Sequence, residues 1–262
     1  MNKFLFIFLL AFVLLSGCKK ETPLPAGIRI TEYQPKYMIY PMTALIKKEN
    51  LIKIEYNNDG TISKRIGDFI ATSGPYGMFY DKKYDEVITK NDIITITKKL
   101  SSYEDFSTTT PLIRILYFKD GRLVRKISGE NNSKDTIAYQ YNDKGQIEYM
   151  ETQNLYLSNK IETKLVYNEN RNLIMVTSQR YYTGDQSLTY SDTTKFSDYD
   201  HSNNPFANLI IFDECFYRAL SSNNFTNYSY RKYNPTGRLI GSEDRSWEFN
   251  YDADNNFLYA NF

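Results

Sequence analysis

Apolar and polar residues alternate with a period of two over most of the chain beyond about residue 50, the pattern of half-buried β-strands. Ile52, Ile54 and Tyr56 fall on one face, with Lys53 and Glu55 on the other. After a polar break the alternation resumes through Ile62, Lys64 and Ile66. Ile137, Tyr139 and Tyr141, then Ile147 and Tyr149, repeat the arrangement. So do Ile161, Thr163, Leu165 and Tyr167, followed by Leu173 and Met175.

The polar breaks share a plan, which makes the chain a series of hairpins. Each runs Tyr, a polar turn, Gly or Asn, then an aliphatic residue two positions on. The clearest copies are Tyr56 to Ile62, Tyr117 to Leu123, Tyr141 to Ile147 and Tyr233 to Leu239. Weaker copies begin at Tyr167, Tyr199 and Tyr251, with Arg171, Asn203 and Asn255 where the others have Gly. Asn or Asp after the Tyr can accept a backbone bond and start a type I turn, and Pro235 sits where proline favours one. A residue with positive φ must then close the turn. That role falls to Gly60, Gly121, Gly145, Gly237, Asn203 and Asn255, since Gly and Asn tolerate the left-handed region best. Arg171 is a poor closer, so Asn170 or Asn172 is expected to take the strained position, or the turn to distort.

Intervals between copies are unequal, which fits a meander better than a strict solenoid. Asp68 to Thr110 lacks a clean copy, yet Val87-Ile88-Thr89 and Ile93 to Thr97 read as strands and Ser101 to Pro111 as a loop. One segment breaks the rhythm. Asn204 can cap a helix and Pro205 suits its first position. Phe206, Leu209, Ile210, Phe216, Tyr217 and Leu220 then share one helical face, so about four turns are expected, ending at Ser221 to Asn224. A strand through Leu209 to Phe212 is the competing reading. The fold expected is all-β: an antiparallel meander of repeated hairpins forming an extended twisted sheet, with one helix inserted near 205–220.

The N-terminus adds an address. Asn2 and Lys3 precede an unbroken apolar run, Phe4 to Leu15. Such a run rises only about 18 Å as a helix, too short for a hydrocarbon core of roughly 30 Å. It reads as a signal peptide over residues 1–17. Leu15-Ser16-Gly17-Cys18 resembles the bacterial lipobox, in which the Cys is acylated, with fatty acids such as palmitate, and becomes the mature N-terminus. Two or more acyl chains anchor a protein stably. Lys19 to Gly27, with Pro23 and Pro25, reads as a tether following the lipidated Cys18. Residues 28–262 form the single β domain.

Charge and chemistry mostly narrow the options. The net charge is +1 with no basic block, so nucleic acid is not expected as a partner. With Cys18 lipidated, Cys215 has no disulfide partner and is expected to be a small core hydrophobe. The 24 Tyr and 16 Phe fit a pleated sheet. His201 is the single His, inside a turn, and is read as a solvated residue and not as a catalytic base. Asp198 with Asp200, and Asp252 with Asp254, have the two-residue spacing of calcium loops but lack the Gly and Glu such loops need, and so read as turn formers. No metal or cofactor is expected. Paired carboxylates for glycoside hydrolysis are a matter of space, not spacing, and nothing selects a pair.

The Tyr-Asn-x-x-Gly-x-Ile/Leu units resemble the YD-type repeats of bacterial Rhs and wall-associated proteins. Joined to a lipobox, and to Asp198-Tyr199-Asp200-x-x-Asn203-Asn204-Pro205 with a later Asn223-Asn224, they resemble a Bacteroidetes lipoprotein family of unknown function. The resemblance implies an antiparallel meander, an outer-membrane or periplasmic address, and no established activity.

The expected role is therefore a non-enzymatic binding or structural lipoprotein, held in the outer membrane by its lipid. It is expected to face the periplasm, with a surface-facing orientation left open. A glycan-binding accessory lipoprotein and a hydrolase with a hidden acidic pair are the alternatives. Partners are the membrane, through the N-terminal lipid, and a glycan or envelope protein; aromatic rings on a rigid sheet suit either.

Overall fold

The computed structural model describes residues 29–39, 47, 49–71, 78–99, 112–130, 133–154 and 157–260. The signal peptide, Cys18, the tether and the Ser101 to Pro111 loop lie outside the described residues. Among the described residues fourteen strands form one antiparallel sheet, each pairing with its neighbours in sequence. In order they are β1 (Glu32–Tyr33), β2 (Ile52–Tyr56), β3 (Ile62–Ala71), β4 (Met78–Lys90), β5 (Ile93–Lys99), β6 (Ile113–Lys119) and β7 (Arg122–Glu130). There follow β8 (Ser133–Tyr141), β9 (Ile147–Asn154), β10 (Asn159–Tyr167), β11 (Leu173–Tyr182), β12 (Leu188–Tyr199), β13 (Phe225–Tyr233) and β14 (Leu239–Ser246). The sheet is open, because β1 and β14 exchange no ladder bonds.

The repeat builds the hairpin turns in one way. In the copy at Tyr141, the Gly145 N–H donates to the Asn142 carbonyl at 2.9 Å, and the Asn142 N–H donates to the Gln146 carbonyl at 2.9 Å. The Asn142 side chain accepts from the N–H groups of Lys144 and Gln146, both at 3.0 Å. The copies at Asn57, Asn168, Asn234 and Asp252 make the same pair of backbone bonds. Gly60, Gly145, Gly237 and Asn255 close their turns at φ 87°, 73°, 81° and 62°.

Three copies depart from expectation. Arg171 itself takes positive φ, at 64°, and neither neighbouring Asn does. The turn bonds of Asn168 hold it there, so the turn is undistorted. The Tyr117 copy closes later than expected: β6 runs to Lys119, which pairs with Arg122 across a two-residue turn. Asp120 and Gly121 both have positive φ, 51° and 73°, as a primed turn requires. The Tyr199 copy makes no hairpin, and Asn203 is not among the positive-φ residues. There the Asp200 N–H donates to the Asn224 carbonyl and the Asn204 N–H to that of Ser222, both at 3.0 Å. These bonds zip together the two ends of an insert spanning residues 200–224.

At three consecutive units the head residue has a reason to be Tyr: its hydroxyl reaches the preceding unit. The Tyr141 hydroxyl donates to the Leu123 carbonyl at 2.9 Å, and Tyr167 to the Ile147 carbonyl at 3.0 Å. Tyr199 donates to the Leu173 carbonyl. Each acceptor is the aliphatic residue that ends the preceding unit. These three bonds staple the units at Tyr141, Tyr167 and Tyr199 each to the one before it. Tyr167→Phe should cost about 1 kcal/mol in a urea melt, the ordinary worth of one such bond. An unchanged midpoint would deny the staple any energetic role.

A bulge follows that aliphatic residue. Registers shift between Glu55 and Tyr56, Gln140 and Tyr141, and Val166 and Tyr167. One extra residue reverses the alternation. Arg65, Met150 and Val176 are therefore buried, and the expected continuations through Ile66, Tyr149 and Met175 are not.

Gly145 offers a direct test of the turn. Gly145→Val should destabilise by about 1–3 kcal/mol, the range for a residue forced into that backbone region. Gly145→Asn should cost less, and Lys144→Val little. Urea melts of the mature protein would rank them; equal losses at 144 and 145 would refute the register.

Candidate functional site

The sheet curls around the insert. Phe212 lies under the Arg65 guanidinium of β3, 5.3 Å from its ring centroid. Phe216 meets Tyr139 of β8 at 6.0 Å, and Tyr217 meets Phe196 of β12 at 5.8 Å between centroids. Strands far apart in the sheet thus touch one short segment, so their shared face is concave.

The insert is not a four-turn helix. A 3-10 turn (Ala207–Leu209) and one α-helical turn, α1 (Phe216–Ala219), are joined by further turns. Backbone bonds run from Leu209 to Phe206, Phe212 to Leu209 and Cys215 to Phe212. With this three-residue period, Phe206, Leu209, Phe212, Cys215, Arg218 and Ser221 are all buried. The 3.6-residue template selected a different face. Asn204 starts a turn instead of capping a helix: its side chain accepts from the Phe206 N–H and donates to the carbonyls of Arg218 and Ser221.

Charges clamp the insert to the sheet. Asp85 of β4 is 2% exposed and accepts from Arg65 at 3.0 Å and from Arg114 of β6 at 2.7 Å. Arg65 also meets Glu214 of the insert at 2.5 Å. Asp213 pairs with Lys126 of β7 and lies 3.6 Å from Arg114. Burial pushes the Asp213 carboxyl up, but Lys126 and Arg114 outweigh it and hold it below the usual carboxylate range. Burial dominates at Glu214 and raises it despite Arg65. Asp213 still exposes 59% of its side chain. Asp68, Asp85, Asp213 and Glu214 each face a cation.

The two sheet edges are held by other means than a ladder. The Gln34 N–H donates to the Tyr259 carbonyl at 2.8 Å. The Trp247 indole donates to the Lys36 carbonyl at 2.6 Å. Between them lies Arg218, 1% exposed. It donates to the Tyr37 carbonyl at 2.9 Å and the Phe225 carbonyl at 3.0 Å. The rings of Phe225, Trp247 and Phe249 surround it at 3.9, 5.1 and 5.5 Å. Burial pushes its pKa down to about 9, which leaves it charged at neutral pH.

Beside this seam a cleft of 490 Å³ opens, lined by Thr31, Glu32, Asn203, Pro205, Phe257 and Tyr259 among others. A second of 370 Å³ has Ile62, Val87, Ile94 and Ile211 in its walls, with Arg29 and Tyr56.

Residues singled out from the sequence go to different places. Cys215 is fully buried, and burial raises its thiol pKa. His201 is exposed in a bend. Asp252 accepts from the N–H groups of Asp254 and Asn256 in its own turn. Asp200 accepts from Asn224, Ser202 and Tyr251. Among the described residues no group of three or more His, Cys, Asp or Glu is placed to hold a metal ion. Arg65, Asp85, Arg114, Lys126 and Arg218 were not anticipated. For Arg65 the available signal was the bulge, which turns a strand position that looks exposed toward the core.

No protein-family model matches the chain, and no curated protein matches it. Among solved structures it is similar to a porin-like protein from Bacteroides vulgatus ATCC 8482, with a TM-score of 0.51 at 16% identity. That match covers 87% of this chain and 90% of the other. A porin-like protein from Bacteroides uniformis ATCC 8492 matches at 12% identity and a TM-score of 0.46, covering 79% and 80%. The first likeness is one of fold.

Proposed function

We propose that the chain is a non-catalytic envelope lipoprotein, anchored through Cys18 in the outer membrane and facing the periplasm, that serves as a binding or structural platform and not as a pore. The observation that carries this reading is the insert, clamped by ion pairs to the curled sheet. The porin-like fold supports an envelope address, but charged residues among the outward strand positions are suited to water. Lys53, Glu55, Glu148, Lys164 and Lys195 are exposed. Cross-strand ion pairs such as Lys64 with Glu55 at 3.5 Å and Arg231 with Asp244 at 2.9 Å lie on the outside. Charges on a lipid-facing strand cost up to about 2–4 kcal/mol each. The acids between sheet and insert are each paired with cations, which favours a scaffold over a hydrolase.

Cys18→Ala should move the protein from the membrane to the soluble fraction, or leave it as unprocessed precursor. A protein embedded through its strands would stay in the membrane after processing. That outcome would overturn the reading.

A further inference from the structure

We propose that the cleft beside the seam binds an uncharged glycan. This assigns a ligand class to the platform above and rests on that reading. The cleft joins three parts of the chain, β1, the insert and the C-terminal segment, and its 490 Å³ suit a short stretch of sugar units. Pro205 and Phe257 are buried, and the Tyr259 ring is half-buried. The exposed part of the Tyr259 ring, held edge-on by Phe257 at 6.3 Å between centroids, is the apolar surface on which the C–H face of a sugar ring can lie.

In the same cleft, Thr31, Glu32 and Asn203 make no side-chain hydrogen bond or ion pair among the described residues. A hydroxyl, a carboxylate and an amide, left without partners in one concavity, match the donors and acceptors of a polyol. An acyl chain would bury them unpaired, which is costly. Asp252 also lines the cleft, and its carboxylate already serves its own turn. Among the described residues no cationic side chain lines it. Two carboxylates without a cation repel acidic sugars and phosphates. Asn203, expected to close a turn, gains a role here.

The test uses the detergent-solubilised mature lipoprotein on immobilised gluco-, manno-, galacto- and xylo-oligosaccharides, with uronate and glucosamine oligomers alongside. A neutral oligosaccharide should be retained. Tyr259→Ala should weaken it about tenfold, the worth of one aromatic contact. Tyr259→Phe should keep binding, and Tyr182→Ala, an exposed tyrosine outside the cleft, should leave it unchanged. Glu32→Gln should weaken neutral binding and narrow the discrimination against uronates. Thermal melts would check that each variant folds. The proposal fails if no neutral oligosaccharide is retained at millimolar concentration, or if only charged oligomers are. It also fails if folded Tyr259→Ala and Glu32→Gln both bind as the parent does. The Cys18→Ala fractionation is independent, so the envelope reading can survive that failure.

Discussion

Asp85→Ala should lower the free energy of unfolding by about 3–5 kcal/mol, the cost of breaking a buried ion pair from one side. Its carboxylate is the shared acceptor of two buried guanidiniums, at 3.0 Å from Arg65 and 2.7 Å from Arg114. Burial disfavours charge on Arg114, and Asp85 is the largest of the anionic influences that outweigh it and raise its pKa. Without Asp85, Arg114 keeps only the longer contact to Asp213 at 3.6 Å. The interior then holds one uncompensated positive charge. Removing Arg114 as well restores the balance, because replacing a whole buried pair by apolar groups is often neutral. Asp85→Leu with Arg114→Leu should therefore cost less than Asp85→Ala alone. Urea melts of the single and double variants decide it. Additive losses would mean that the clamp is a set of independent contacts and not a network.

This clamp marks the boundary of what the sequence makes legible. Tyr56, Tyr141 and Tyr167 with their turns can be read directly, because the turn chemistry is local. Asn142 binds its own backbone two and four residues on, and no distant part of the chain is needed. The all-β meander follows from repeating that unit. Arg65 is hidden by the bulge one residue after Ile62. Read with a strict period of two, it faces water beside Ile66; after the bulge it faces Ile54 across the ladder. The insert hides for a related reason. Phe206, Leu209, Phe212 and Cys215 recur every three residues, and that spacing is easily absorbed into a helical template. Curling depends on contacts between segments as distant as Tyr37 and Arg218, which no local pattern encodes. The seam cleft has no sequence signature, because Glu32, Asn203 and Tyr259 meet only when the sheet has curled.

Arg218→Lys should loosen the seam while leaving the sheet in place, at a cost of about 2–4 kcal/mol from lost cation–π contact and an unpaired carbonyl. Arg218 has no carboxylate partner among the described residues. It is held by two carbonyls, of Tyr37 and Phe225, and by three rings. The flat guanidinium can stack on Phe225 and reach both carbonyls at once; an ammonium is a point charge with no flat face. Trp247 makes the event visible. It is the single Trp of the chain, it lies 5.1 Å from Arg218, and its indole bonds to the Lys36 carbonyl across the seam. In the parent protein, Trp emission and far-ultraviolet circular dichroism should report one urea transition. In Arg218→Lys the emission should shift to the red at lower urea than the loss of β signal, because the edges part before the ladders do. Coincident transitions in the variant would show that the seam is no weaker than the sheet, and that the open meander is closed by something other than this arginine.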